Sequence, residues 1–129
     1  MGKVLVIDND RFMLEVIEAV LELAGRRTIS ATSGDEGVES FRKELDDIDL
    51  VILDMRLSTA MEGADTLRAL RAIDPAIKVI IASAYSQSEV EEYLADEKWD
   101  AVLRKPYNME QLLVTIEELN VDQPEGAPP

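Results

Sequence analysis

The 129-residue chain has no cysteine and no histidine. The first absence removes disulfides and thiolate chemistry. Both together argue against zinc sites and against Cys-His or Ser-His nucleophilic catalysis. Bases are scarce too: 13 Lys and Arg stand against 27 Asp and Glu, a formal net charge of −14. No basic stripe is left for a nucleic-acid backbone, which requires one. No apolar run approaches the roughly 20 residues of a membrane helix. The opening "MGKVLVIDND" holds only four apolar residues in a row, too few for a signal-peptide core, so the chain reads as cytoplasmic. Neither G-x-G-x-x-G nor G-x-x-x-x-G-K-S/T occurs, and an acidic loop after the first strand would repel a nucleotide or flavin phosphate. Any chemistry falls to carboxylates, lysine, hydroxyls and a hard cation.

What is present is one domain's worth of chain, 47% hydrophobic and 31% charged, with no internal repeat. Five short apolar runs recur, at 3–7, 27–32, 50–53, 78–83 and 101–103. Stretches with helical spacing lie between them. The first carries Phe12, Met13, Val16, Ile17, Val20, Leu21 and Leu23 as a wide apolar stripe. The second carries Val38, Phe41 and Leu45, and the third Leu67, Leu70 and Ile73. The fourth carries Val90, Tyr93 and Leu94 beside the acidic runs "EVEEY" and "DEKWD", taken as its solvated face. The fifth carries Met109, Leu112, Leu113, Ile116 and Leu119, mostly core. Asp10 suits the N-cap of the first helix, and Trp99 suits packing.

The pattern is (βα)5, a single α/β domain. Runs one, three and four are continuously apolar, as parallel strands covered on both faces must be. Run two alternates and run five is short, so both suit edges. With right-handed crossovers the strand order is 2-1-3-4-5, and strands one and three meet at the switch point where such sheets place ligands. Residues 1–121 form the domain. The Pro-rich tail 122–129 reads as a disordered end or the start of a linker.

Just past the strands come Asp8, Asn9 and Asp10, then Asp54, then Ser83 and Ala84, then Lys105 and Pro106. These loops open on one edge of the sheet. Clustered carboxylates repel one another unless a cation sits among them, and few oxygen ligands with the remaining positions left to water suit Mg2+. A cation and a lysine beside one carboxylate can neutralise a transferring phosphoryl group, so Asp54 reads as a nucleophile toward phosphorus. Ser83 can donate to a phosphoryl oxygen.

"VLVIDND", "VILDMRL", "VIIASAY" and "VLRKPY", in this order over residues 3 to about 120, resemble the receiver domain of two-component response regulators, the CheY-like family. The resemblance implies a flavodoxin-like three-layer sandwich. It implies that Asp54 accepts a phosphoryl group from a phosphohistidine on a sensor histidine kinase or phosphotransfer protein. It implies that Asp8, Asn9, Asp54 and the backbone carbonyl of Arg56 hold Mg2+, and that Ser83 and Lys105 contact the phosphoryl group. A cis Lys105-Pro106 bond is also implied. So is a phosphorylation-dependent face of helix four, strand five and helix five for an output protein or domain, or for a homodimer. The protein would be a phosphoacceptor rather than a turnover enzyme, without nucleic-acid or membrane contacts of its own.

The chain departs from the family pattern at four places. The second acid is Asn9, the Pro four residues past the phosphoacceptor is Ser58, and "LSTAMEG" is one residue longer than usual up to Gly63. The aromatic switch residue of strand five is Val102, and Tyr85, two residues past Ser83, is the candidate substitute. Asn9, Ser58 and Val102 motivate an alternative, a pseudo-receiver that binds partners without phosphorylation. "VLVIDNDRF" also looks like the first motif of haloacid-dehalogenase phosphatases, whose nucleophile would be Asp8. Their motif does not continue with Arg11 and Phe12, and beyond Lys105 no loop carrying their further acidic pair appears before the tail.

Overall fold

The computed structural model describes residues 2–55, 63–94 and 97–119. Five strands, β1 (Lys3–Ile7), β2 (Thr28–Ala31), β3 (Ile48–Asp54), β4 (Lys78–Ser83) and β5 (Ala101–Arg104), alternate with α1 (Arg11–Leu23), α2 (Gly34–Lys43), α3 (Gly63–Ile73), α4 (Gln87–Tyr93) and α5 (Met109–Glu118). All strand pairs are parallel, in the order β2-β1-β3-β4-β5 expected from the strand texture. Val4–Ile7, Leu50–Asp54 and Val79–Ser83 are buried, whereas β2 and β5 are mostly half-buried, as edge strands are.

Side chains alternate across each strand, and this divides the core in two. Leu5, Ile7, Val51, Leu53, Val79 and Ile81 face α2, α3 and α4, together with Phe41, Leu67, Leu70 and Val90. Val4, Val6, Leu50, Ile52, Ile80 and Ala82 face α1 and α5, where Ile17, Leu21, Leu112 and Ile116 complete the layer. The same alternation carries past the strand ends and sets which face each loop residue joins.

Local signals fix the ends of the helices. Asp10 caps α1, its carboxylate accepting from the Met13 N–H at 3.2 Å. At the other end the Arg26 N–H donates to the Leu21 carbonyl and the Gly25 N–H to that of Glu22. This double bond pattern is the Schellman stop, and it needs the left-handed φ of +83° that Gly25 supplies. A Cβ on Gly63 would overlap the Met55 carbonyl, so α3 can begin against the end of β3 only with glycine there.

Three sequence expectations are corrected. In α1 the buried residues are Leu14, Ile17 and Leu21, whereas Phe12 is 72% and Leu23 is 90% exposed. At about 100° per residue those two lie on the opposite side of the helix from Leu14. Leu45 is not in the second helix: α2 ends at Lys43, and Leu45 opens a short 3-10 turn, Leu45–Asp47. The acidic segment at 97–100 is not part of α4, which stops at Tyr93 with Leu94 as its cap. The loop is stapled instead by Arg71, whose guanidinium donates to the carbonyls of Lys98, Pro75 and Ile77 and to Asp100. Asp100 also accepts from the Val79 N–H at 2.8 Å. Trp99 is half-buried and packs against the α2/α3/α4 core, as expected, while Tyr93 is 61% exposed. The 121/122 boundary lies outside the described residues.

Candidate functional site

Asp8 and Asp54 extend the Val4–Val6 and Leu50–Ile52 series by one more step of two, so both lie on the α1/α5 side at the carboxyl edge of the sheet. Ser83 extends Val79–Ile81 and belongs to the opposite side. Because β1 and β3 are neighbours with Ile7 beside Leu53, the two carboxylates sit together; β4 and β5 bring Ser83 beside Arg104, one residue before Lys105. Asp8, Asp54 and Ser83 are 3%, 5% and 2% exposed.

Lys105 bridges the acids. Its Nζ lies 3.3 Å from Asp54 Oδ2 and 3.8 Å from Asp8 Oδ2. Asp8 Oδ1 accepts from the Asp10 N–H at 2.9 Å. Burial pushes the Asp8 carboxyl up to about 6, and the charge of Asp54 adds to the rise. The Asp10 N–H and Lys105 oppose it without cancelling it. One lysine is therefore too little positive charge for two buried acids, and the site favours a proton or a further cation.

Ser83 Oγ accepts from the Tyr85 N–H at 2.9 Å, which leaves its own O–H to donate. The Lys105 N–H donates to the Ser83 carbonyl at 2.7 Å, tying β5 to β4 at the site, and the Lys105-Pro106 bond is cis. Asp54, Met55, Ser83, Ala84, Tyr85 and Lys105 line a pocket of about 100 Å3. Asp8 is not among its walls.

The other sequence candidates are distributed around this centre. Asn9 is exposed on the loop after β1. Arg56 and Ser58 lie outside the described residues. Val102 is half-buried on β5, paired with Ile81, and packs against the α2/α3/α4 core. Tyr85 packs against the same core, and its ring stands 5.3 Å from that of Tyr93, tilted by 36°. Sequence reasoning assigned no role to Tyr107, which is 9% exposed and belongs to the α1/α5 core. The available signal was an aromatic residue two positions past Lys105.

Among the described residues no three His, Cys, Asp or Glu side chains gather as a metal cluster. Two buried carboxylates short of positive charge do fit a hard cation that keeps several waters.

Residues 4–117 match the family described as the response regulator receiver domain. The chain belongs to that family, the receivers of two-component signalling. The receiver is 34% identical over 116 residues to the transcriptional regulatory protein ZraR of Escherichia coli K12, covering 89% of this chain and 25% of that one. It is 33% identical over 117 residues to the transcriptional regulatory protein CpxR of the same strain, covering 90% of this chain and 48% of that one. It thus spans a quarter to a half of the length of these relatives. A receiver domain protein structure from Clostridium thermocellum superposes with a TM-score of 0.83 at 31% identity, covering 92% of this chain and 93% of that chain. No described helix of the receiver is long and apolar enough to cross a membrane.

Proposed function

We propose that Asp54 is the phosphoacceptor of this receiver. An Asp54 carboxylate oxygen attacks the phosphorus of a phosphohistidine on a histidine kinase or phosphotransfer protein. A P–O bond forms as the P–N bond breaks, and the imidazole leaves with the electron pair and takes up a proton. The observation that carries this reading is the walling of the pocket: Asp54 lines it beside Ser83 and Lys105, with the Lys105 ammonium 3.3 Å from its oxygen. Asp8, the nucleophile of the phosphatase reading, is held by the Asp10 N–H and does not line that space.

Lys105 neutralises charge on the transferring group, and Ser83 donates its O–H to a phosphoryl oxygen. Asp8 and Asp54, with Asn9 and the Arg56 carbonyl, are the candidate ligands of Mg2+, which when bound supplies the positive charge that the acid pair lacks. Asn9 contributes a neutral oxygen where a second acid would add charge. Ser83 and Tyr85 form the switch in place of a ring at Val102: drawing the Ser83 hydroxyl toward phosphate disturbs its bond to the Tyr85 N–H and, through Tyr85, the ring contact with Tyr93 on α4. The readout surface is the α4-β5-α5 face, where Tyr93 is 61% and Val114 is 44% exposed. It would serve an output protein or domain, or a second copy of the chain. On this reading the receiver is a cytoplasmic phosphoacceptor that turns over only its own phosphoryl group.

The test is intact mass after incubation with acetyl phosphate, with and without Mg2+, beside Asp54→Asn. One Mg2+-dependent phosphoryl adduct, absent from the variant, is the expected result. A folded protein without an adduct would instead support the pseudo-receiver.

A further inference from the structure

Tyr107 is 9% exposed, its ring packed in the cluster that contains Val6, Ala82 and Leu103. Its hydroxyl oxygen is buried, and no described residue hydrogen-bonds to it. Buried tyrosine hydroxyls normally find a partner, and an unmade bond costs stability. The direction in which a partner lies follows from the strands. Asp8 follows β1 two residues past Val6, Asp54 ends β3 two residues past Ile52, and Lys105 follows β5 two residues past Leu103. The acid pair therefore stands at the edge of the very layer that holds the Tyr107 ring. A tyrosine hydroxyl is neutral at ordinary pH and can donate toward a carboxylate. Asp8 has one oxygen bonded to the Asp10 N–H and the other 3.8 Å from Lys105, which leaves lone pairs on both.

We propose that Tyr107 is a positioning residue of the acid site, its hydroxyl donating a hydrogen bond to the Asp8 carboxylate when that carboxylate serves as a cation ligand. This rests on the phosphoacceptor reading and adds to it an outer contact that orients one ligand. Such contacts hold a ligand's orientation and raise metal affinity without touching the metal.

The experiment is calorimetric titration of Mg2+ into the full chain and into Tyr107→Phe, which removes one oxygen and keeps the ring. Urea unfolding of both metal-free proteins runs in parallel. The expected result is a dissociation constant for Mg2+ raised about tenfold in the variant, with an unfolding midpoint equal to or above that of the wild type. An unchanged dissociation constant overturns the inference, because the hydroxyl is then only a passenger in the core. A weakened affinity accompanied by a lower unfolding midpoint also overturns it, assigning the effect to packing. A wild type that binds no Mg2+ overturns the reading of the site and this inference with it, which separates the two failures.

Discussion

Replacing Asp8 by Asn should stabilise the metal-free receiver at neutral pH. The folded protein raises the Asp8 carboxyl from 3.8 to about 6, chiefly by burial. At 1.36 kcal/mol per pH unit that interval corresponds to about 3 kcal/mol. The sign follows from proton binding: between the two values the folded state holds a proton that the unfolded chain has released. Stability from this group is therefore complete below 3.8 and is lost as pH rises through 6. Asn at position 8 keeps an acceptor for the Asp10 N–H, removes the repulsion with Asp54 and loses the 3.8 Å contact with Lys105. The net gain at pH 7.5 should be about 1–3 kcal/mol, or a Tm increase of about 4 °C per kcal/mol for a chain of this size. The assay is urea unfolding in EDTA at pH 5 and 7.5. The difference between variant and wild type should shrink at pH 5, and added Mg2+ should narrow it at pH 7.5 by stabilising the wild type. A variant less stable than the wild type at pH 7.5, or a difference independent of pH, would refute the reasoning.

Three further substitutions test the packing. Ile17→Ala, at a core position 1% exposed, should cost about 2–4 kcal/mol, whereas Leu23→Gln on the outer side of α1 should stay within about 0.5 kcal/mol; equal costs in urea unfolding would mean the helix faces are misassigned. Arg71→Met keeps the stem but removes the donors to Lys98, Pro75, Ile77 and Asp100. It should cost about 2–3 kcal/mol and speed amide exchange at Val79 and Asp100, and unchanged exchange there would deny the staple.

The sheet was legible because its physics is local to each strand. A parallel strand covered on both faces must be apolar throughout, so 3–7, 50–53 and 78–83 marked the centre and the polar alternation of Thr28–Ala31 marked an edge. The edge cluster was legible for the same reason: polar residues directly after such runs have one place to go. The buried face of α1 was not legible, because nearly every side of that helix carries an apolar residue and only the sheet beneath selects Leu14 over Phe12. The end of α4 was hidden as well, since the 97–100 segment is held out of helical bonding by Arg71, which binds Lys98 and Asp100, and by the Val79 N–H, which binds Asp100, each more than twenty residues from its partner. Tyr107 read as one aromatic in a motif until its buried hydroxyl, without a partner among the described residues, set it apart.

The most direct test is to identify the atom that takes the phosphoryl group. Protein treated with acetyl phosphate and Mg2+ is reduced with borohydride, which converts an acyl phosphate to the alcohol, and is then digested and sequenced by mass spectrometry. The account predicts homoserine in place of aspartate at position 54 and intact aspartate at position 8. Homoserine at position 8, with Asp54 unmodified, would contradict it.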